Sequence, residues 1–578
     1  MTKPKLIIVG GGLAGQMAAL KALEAGAEVA IFSAQHFRRS PSVCAAGGIN
    51  AVLNTKGQQD SIEQHIYDTI LGGDFLAHQV PIQKMCRAAP GIVRLLARMG
   101  VMFNRTSEGL IDQRQLAGVK KKRACFAGST TGQQILYALD DQLRKFEVEG
   151  KVTKFENWEF ASLVRDDSGI CRGIVAIDRN SLEVVVFASD AVIMCTGGFG
   201  EIFQYATTSL HCTGAASTQA YRQGAIFANP EFIQFHPTTI PGQDKMRVIS
   251  EGARSEGGRV WTFKDGKPWY FLEEWYPELG NLVPRDIAAR AIFKVIHEMK
   301  LGVDGENVVY LDLTQLNPKI IKQNLMAVVD TYQKFVGEDP RKVPMRIYPA
   351  VHYTMGGLWV DFEQRTNIAG LFAAGECNYQ YHGANCLGGN ALISVIYGGQ
   401  VASQAALAYA EGLEKNAELI SVSILEAERT KQEDINKQIM AMSGSENPHQ
   451  IKQELARTLA RHVFIVRDNA GLEKADDKIT ELEERFGKSF ILDQGFWNNE
   501  ELFFMRKLYN QLELARLIVR AAQNRQESRG AHYRPEFPER DDKNWLKITK
   551  AKYTTKGPEF DYSEKVEISD VQLIERKY

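Results

Sequence analysis

The run "KLIIVGGGLAGQMAALKALEAGAEVAIFS", residues 5–33, is the part of this chain that leaves the fewest folds open. A short apolar strand, a glycine turn, a helix ending at Gly26 and a second strand follow one another within about 30 residues. That order makes a βαβ unit with parallel strands and a right-handed crossover. Gly10, Gly12 and Gly15 fall in G-x-G-x-x-G spacing at the strand-to-helix turn. Such glycines permit the tight turn, let a pyrophosphate approach the backbone and bring helix close to strand, while the helix N-terminus donates amides to the phosphates. In this setting the spacing predicts a dinucleotide site.

Ser33 ends the second strand, where an NAD-binding fold places an acidic residue for the ribose. This argues against NAD more than against FAD, because flavoproteins spread their ribose contacts more widely. The loop "FRRSPSVCAAGGIN", residues 37–50, follows directly. Arg38 or Arg39 would balance pyrophosphate charge, and Gly47 and Gly48 would let backbone amides reach a flavin ring. "DAVIMCTGGFG" and "AGLFAAGE" repeat the strand-then-glycine style far downstream, so one nucleotide domain is expected from separated parts of the chain. The Trp- and Tyr-rich "VWTFKDGKPWYFLEEWYP" between them marks an inserted domain. Further on, Leu472, Ala475, Ile479, Leu482 and Phe486 recur at steps of three and four, and Gly487 closes that helix. Leu508, Leu512, Ala515, Val519 and Ala522 repeat the pattern, which predicts an antiparallel helical bundle. "RGAHYRPEFPERDDKNWLKITK" reads as a surface-hugging tail.

At 578 residues the chain exceeds one hydrophobic core. Its 69 basic and 70 acidic side chains leave a net charge of -1, which argues against nucleic acid or anionic lipid as a general partner. The eight cysteines are scattered without the close spacing that zinc or an iron–sulfur cluster needs, so no metal site and reduced, cytosolic thiols are expected. The N-terminus goes straight into "KLIIVGGGLAG", so no cleavable leader is expected, and no apolar run is expected to reach the ~20 residues of a membrane span.

Polar clusters stand in "EFIQFHPT" (His236), "SEGARSEGGR" (Ser250, Glu251, Arg254), "VPRDIAAR" (Arg285) and "VHYTMGG" (His352). Histidines and arginines gathered at one interdomain cleft suit a small dianion. Together with "IIVGGGLAG", "SVCAAGGIN", "AGSTTGQQ", "PAVHYTMGGLWVD", "GLFAAGEC", "HGAN" and the terminal "ESRGAH" and "RDDKNWL", these motifs resemble, over nearly the whole chain, the flavoprotein subunit of succinate dehydrogenase and fumarate reductase. The branch with a dihaem cytochrome b anchor is the most similar. The resemblance implies an α/β fold: a Rossmann-like FAD-binding domain (residues 1–234 and 351–408) with an inserted α+β capping domain (235–350), then a helical domain (409–530) and a C-terminal region (531–578). It implies hydride transfer between FAD and a C4 dicarboxylate, with electrons leaving through an iron–sulfur subunit toward quinone. The complex would sit on the cytoplasmic, inner face of the cell membrane. By family pattern Arg285 exchanges the substrate proton, with Glu251 and Arg254 extending the proton path, while His236, Ser250 and His352 bind carboxylates. Besides the glycines, Ser33, Arg39 and Ser40, the resemblance assigns Glu376 to the ribityl region of FAD and Asn390, Ala391 and Leu392 to a second flavin-contacting stretch.

The chain also departs from the family. Pro41 stands where the family's histidine carries the covalent flavin link, so non-covalent FAD is expected and activity tilts toward fumarate reduction. Cys386 replaces the arginine that clamps a substrate carboxylate, Ala46 replaces a Gln or Glu, and Ser255 replaces a glycine. Three readings follow: an active succinate/fumarate oxidoreductase subunit, a non-catalytic or electron-relaying paralogue, and a soluble enzyme similar to L-aspartate oxidase. "KDGKPWYFLEEWYP" and "RDDKNWL" count against the third. Cys386 reads as a small space-filling thiol ahead of a redox-active one.

Overall fold

A computed structural model describes residues 3–242, 245–414 and 416–576. The Lys5–Val9 strand lies at the centre of a five-stranded sheet, flanked by Ala191–Met194 and Glu28–Ser33. Leu371–Ala373 and Val152–Glu156 close its two edges, and every pairing is parallel. The downstream strand-then-glycine segments thus join the first βαβ unit in one sheet, as the sequence predicts. The strand order reverses beside Lys5–Val9, and a sheet of this kind opens its crevice at that switch point. One face carries the helices Leu13–Glu24 and Asn390–Glu411. The second of these is long and apolar enough to cross a membrane by length and composition, contrary to the expectation that no run qualifies. Its contacts are those of a core helix: a Cβ on Gly399 would come within 2.4 Å of the Ala14 carbonyl oxygen. Against the strand ends pack Phe32, Phe155, Trp158 and Phe187, with the first two rings stacked at 4.4 Å.

A second, six-stranded antiparallel sheet is built within residues 233–354. Its Ile233–Ile240 and Met345–Thr354 strands pair side by side where the chain enters and leaves this unit, and all of Ile233–Ile240 is buried. The helices Arg285–Phe293 and Met326–Val336 belong to the same stretch, giving it α+β character. Further on, Pro448–His462, Asn469–Phe486 and Glu500–Asn524 pack as helices whose predicted apolar positions, Leu472 through Leu482 and Leu508 through Ala522, are buried. Asn447, Asp468 and Asn499 cap their first turns with side-chain oxygens.

The C-terminal stretch does more than hug the surface. Arg529, His532 and Arg534 are buried; burial holds His532 well below its ordinary range, and ion pairs compensate Arg529 and the buried Arg525 just ahead of it: Arg525 meets Glu231 at 2.6 Å and Glu527 at 2.8 Å, and Arg529 meets Glu527 at 2.8 Å. These partners lie up to 294 positions apart, so the sequence alone does not reveal the pairing.

Candidate functional site

A cavity of about 390 Å³ opens at the switch point and runs from the Gly10–Leu13 turn, past the Ser40–Gly48 loop, to the six-stranded sheet. Gly10 and Gly12 line it, and Gly15 acts behind them: its Cβ would stand 1.9 Å from the Gly10 carbonyl oxygen. Gly10 has φ +117°, and a Cβ there would meet the Cys195 carbonyl oxygen at 2.1 Å. Only bare backbone closes this turn. Ser33 lines the cavity too.

The loop after the second strand reaches the cavity with Ser40, Pro41, Gly47 and Gly48. Pro41 begins a 3-10 turn, Pro41–Cys44, in which its fixed φ is tolerated and its missing N–H costs nothing. A Cβ on Gly47 would meet nothing, so its backbone faces open space. Of the two arginines weighed for pyrophosphate, Arg38 is held at 2.6 Å by both Asp140 and Asp141, and Arg39 is exposed outside the cavity lining. The cation that does hold this loop is Arg114, which sequence reading passes over. Its Nη2 donates to the Ala46 carbonyl at 2.7 Å, and its Nε donates to that of Gly47 at 3.0 Å. It lies 67 residues from Gly47, in an unremarked "DQRQ", with no local signal.

At the far end, His236 and His352 stand on the paired strands Ile233–Ile240 and Met345–Thr354, their rings edge to face at 4.9 Å. Burial, with the positive charge of Arg285 next, holds both imidazoles well below their ordinary range. They are neutral hydrogen-bonding groups at pH 7. Thr207 Oγ1 lies 2.8 Å from His352 Nδ1. Arg285, the first residue of its helix, donates through Nε to Glu251 Oε1 at 2.7 Å, through Nη2 to Oε2 at 3.2 Å and through Nη1 to Gln234 Oε1 at 2.8 Å. Arg254 Nη2 stands 3.6 Å from Glu251 Oε1 on the other side. Burial pulls Arg254 down to about 10, whereas Glu251 outweighs burial at Arg285 and raises it. Ser250, Glu251 and Arg285 line the cavity; Arg254 lies behind them, buried.

Gln234 is a second residue that sequence reading leaves out. Its amide nitrogen donates to Asn385 Oδ1 at 2.8 Å and to the Cys386 carbonyl at 2.6 Å. The Cys386 thiol is buried and does not line the cavity; burial pushes it up to about 12 although Arg285 pulls the other way. A neutral thiol supplies no charge for a carboxylate.

Ala391 and Leu392, at the start of the Asn390–Glu411 helix, line the cavity. Asn390 itself points into a buried network with Asn50 Nδ2 (2.8 Å), Thr69 Oγ1 (2.8 Å) and His65 Nε2 (3.0 Å), which fixes the turn ahead of that helix. Glu376 lines the cavity and accepts from the Thr354 backbone amide at 3.0 Å, and burial raises its carboxyl to about 7. A folded-state pKa above the ordinary carboxylate value costs stability as pH climbs past that value, with the whole cost in place above about 7. Glu376→Gln is therefore expected to raise the melting temperature of the cofactor-free protein at pH 8, by the equivalent of roughly 3 kcal/mol at most, and to leave it nearly unchanged at pH 4.5. A variant less stable than the parent at pH 8 contradicts this placement of the charge.

Two family models match the chain: the FAD binding domain over residues 5–392 and the fumarate reductase flavoprotein C-term over residues 452–578. The chain belongs to the succinate dehydrogenase/fumarate reductase flavoprotein family. This flavoprotein is 55% identical over 580 residues to the succinate dehydrogenase flavoprotein subunit of Bacillus subtilis, covering 100% of this chain and 99% of the relative. It is 34% identical to a Serratia fumarate reductase flavoprotein subunit, covering 99% and 96%. Among solved structures, a quinol-fumarate reductase with menaquinol molecules superposes with a TM-score of 0.91 at 31% identity, covering 99% of this chain and 100% of that one. A Mycobacterium smegmatis Sdh1 in complex with UQ1 does so at 0.84 and 28%, covering 98% and 94%. The cofactor of this flavoprotein is FAD. Its residues fit that group: the bare-backbone turn at Gly10 and the side-chain-free face at Gly47 leave room along one continuous cavity.

Proposed function

We propose that this flavoprotein transfers a hydride between FAD and a C4 dicarboxylate, with fumarate reduction the favoured direction. Electrons would be exchanged with a separate iron–sulfur subunit, and through it with quinone at a cytochrome b anchor on the inner face of the cell membrane. The observation that carries this reading is the row of half-buried Arg285 and buried Glu251 and Arg254 beside His236 and His352 at one end of the cavity.

Bound FAD supplies the hydride donor or acceptor. Arginine has five N–H donors, of which Arg285 commits three to Glu251 and Gln234, leaving two for the substrate. As one alkene carbon of fumarate takes the hydride, the Arg285 guanidinium gives its proton to the other; succinate oxidation runs this backward. An arginine gives up a proton reluctantly, so the loss must be made good at once. Arg254, already drawn down to about 10, gives a proton to the Glu251 carboxylate at 3.6 Å, and Glu251, 2.7 Å from Arg285, passes it on to the guanidinium. His236, His352 and Ser250 hydrogen-bond the carboxylates without adding charge. Gly10 and Gly12 would hold the pyrophosphate of FAD, Glu376 its ribityl chain, and the backbone of Ala391 and Leu392 its flavin.

FAD is held without a covalent bond, because Pro41 has no nucleophilic atom. Acid precipitation of the purified protein is expected to leave the yellow flavin in the supernatant; flavin retained in the pellet overturns this point. The buried, neutral Cys386 favours a second reading, a non-catalytic or electron-relaying paralogue. Purified, FAD-loaded protein assayed with a reduced dye and fumarate, and with an oxidised dye and succinate, separates the two: turnover supports catalysis, and its absence in both directions supports the paralogue.

A further inference from the structure

Arg576, the last described residue, sits between two carboxylates from different parts of the fold. Its Nη1 lies 2.9 Å from Asp286 Oδ2 and 3.3 Å from Asp74 Oδ2, and its Nη2 donates to Asp286 Oδ1 at 3.4 Å. Asp74 follows the Ile62–Gly72 helix, whereas Asp286 is the second residue of the Arg285–Phe293 helix in the inserted unit. Both carboxylates are buried. The tail reaches this point along the nucleotide side, where Glu564 meets His78 at 3.0 Å, Ser569 meets Gln83 at 2.9 Å and the Ile574 carbonyl accepts from Arg540 at 2.8 Å.

We propose that Arg576 is a positioning residue that pins the inserted unit, and with it Arg285, against the nucleotide domain. The pin reaches Arg285 by two routes. Asp286 is its neighbour in the chain, and Asp286 Oδ1 also accepts from Asn385 Nδ2 at 3.2 Å. Asn385 in turn accepts from Gln234, the residue that accepts from Arg285 Nη1. Removing the guanidinium affects the two carboxylates unequally. Asp74 keeps Arg540 at 2.9 Å and the Gly530 amide at 2.8 Å. Asp286 keeps the neutral Asn385 and, one helical turn on, Arg290, whose Nη2 donates instead to the Gly530 carbonyl. Asp286 then loses the cation that donates to both of its oxygens and is left with Arg290 in its field but without that direct pair; such a loss at a buried carboxylate is costly, and the helix start that bears Arg285 is the part that must shift.

This inference rests on Arg285 being the proton donor, and its test has a readout that does not. In full-length, FAD-loaded protein, Arg576→Gln is expected to lower kcat for fumarate about tenfold or more, with KM and flavin content within about threefold, since displacement by an ångström suffices for such losses. Arg576→Lys should recover most of the rate. Amide hydrogen exchange over residues 285–293 should quicken about tenfold while residues 62–72 keep their protection. A kcat within twofold of the parent together with unchanged exchange overturns the proposal. If the parent turns over neither dicarboxylate, the functional reading fails and the exchange result alone decides the pin. If Arg576→Gln does not accumulate as folded protein, Asp286→Asn decides in its place: the same rate loss and faster exchange support the pin, and parental values overturn it.

Discussion

Arg285→Gln is expected to lower kcat for fumarate reduction by about 10²- to 10⁴-fold, the range lost when a positioned proton donor is removed. The group forms a fork against Glu251, and the other polar groups lining that end, among the described residues, include the neutral His236 and His352 and the hydroxyls of Ser250 and Thr207, none of which carries a cationic N–H fork. Gln also removes the nearer of the two cations beside the buried Glu251 carboxylate, leaving Arg254 at 3.6 Å, so some stability goes with the rate. Arg285→Lys separates the two effects. A lysine keeps the charge beside Glu251 and should hold the melting temperature near the parent's, yet it lacks the planar fork, so the rate should remain at least about tenfold down. A lysine variant with parental kcat contradicts the role given to the guanidinium.

Cys386→Arg is expected to tighten dicarboxylate binding by about 30-fold or more, because pairing a desolvated carboxylate with a cation typically stabilises by roughly 2 kcal/mol or more. In the parent, burial keeps the Cys386 thiol protonated and uncharged; among the described residues Arg285 is the one arginine or lysine lining the cavity, and it is already paired with Glu251. Cys386→Ser alters size and polarity slightly without adding charge and should leave affinity unchanged. Equal affinity in the Arg and Ser variants, measured by titrating the flavin spectrum with fumarate, contradicts the charge argument.

The nucleotide-binding sheet was legible because its signals are local. Gly10, Gly12 and Gly15 sit between two apolar runs, and the same style recurs before Gly197 and Gly375. The helices around Leu472 and Leu508 were legible for the same reason, since a 3.6-residue period needs no knowledge of the partner. What sequence reading passed over is non-local. Gln234 meets Arg285 across 51 residues, Arg114 meets Gly47 across 67 and Asn50 meets Asn390 across 340, and each is a common polar side chain in an ordinary setting. The pin at Arg576 spans 290 positions to Asp286. Roles at the substrate end came through resemblance, because a histidine in "FHPT" carries no chemistry until His352 is brought to 4.9 Å of it. The buried C-terminal arginines were misread for a related cause: a charged, proline-rich run looks solvent-facing until the glutamates that compensate it are found.

The most direct test of the site is an absorbance titration of the native, FAD-loaded protein with fumarate and then with succinate. A saturable shift of the flavin band with both dicarboxylates is expected, at lower concentrations in Cys386→Arg. An unchanged spectrum at saturating concentrations of either ligand, in protein whose flavin is fully bound, contradicts a dicarboxylate site beside the flavin.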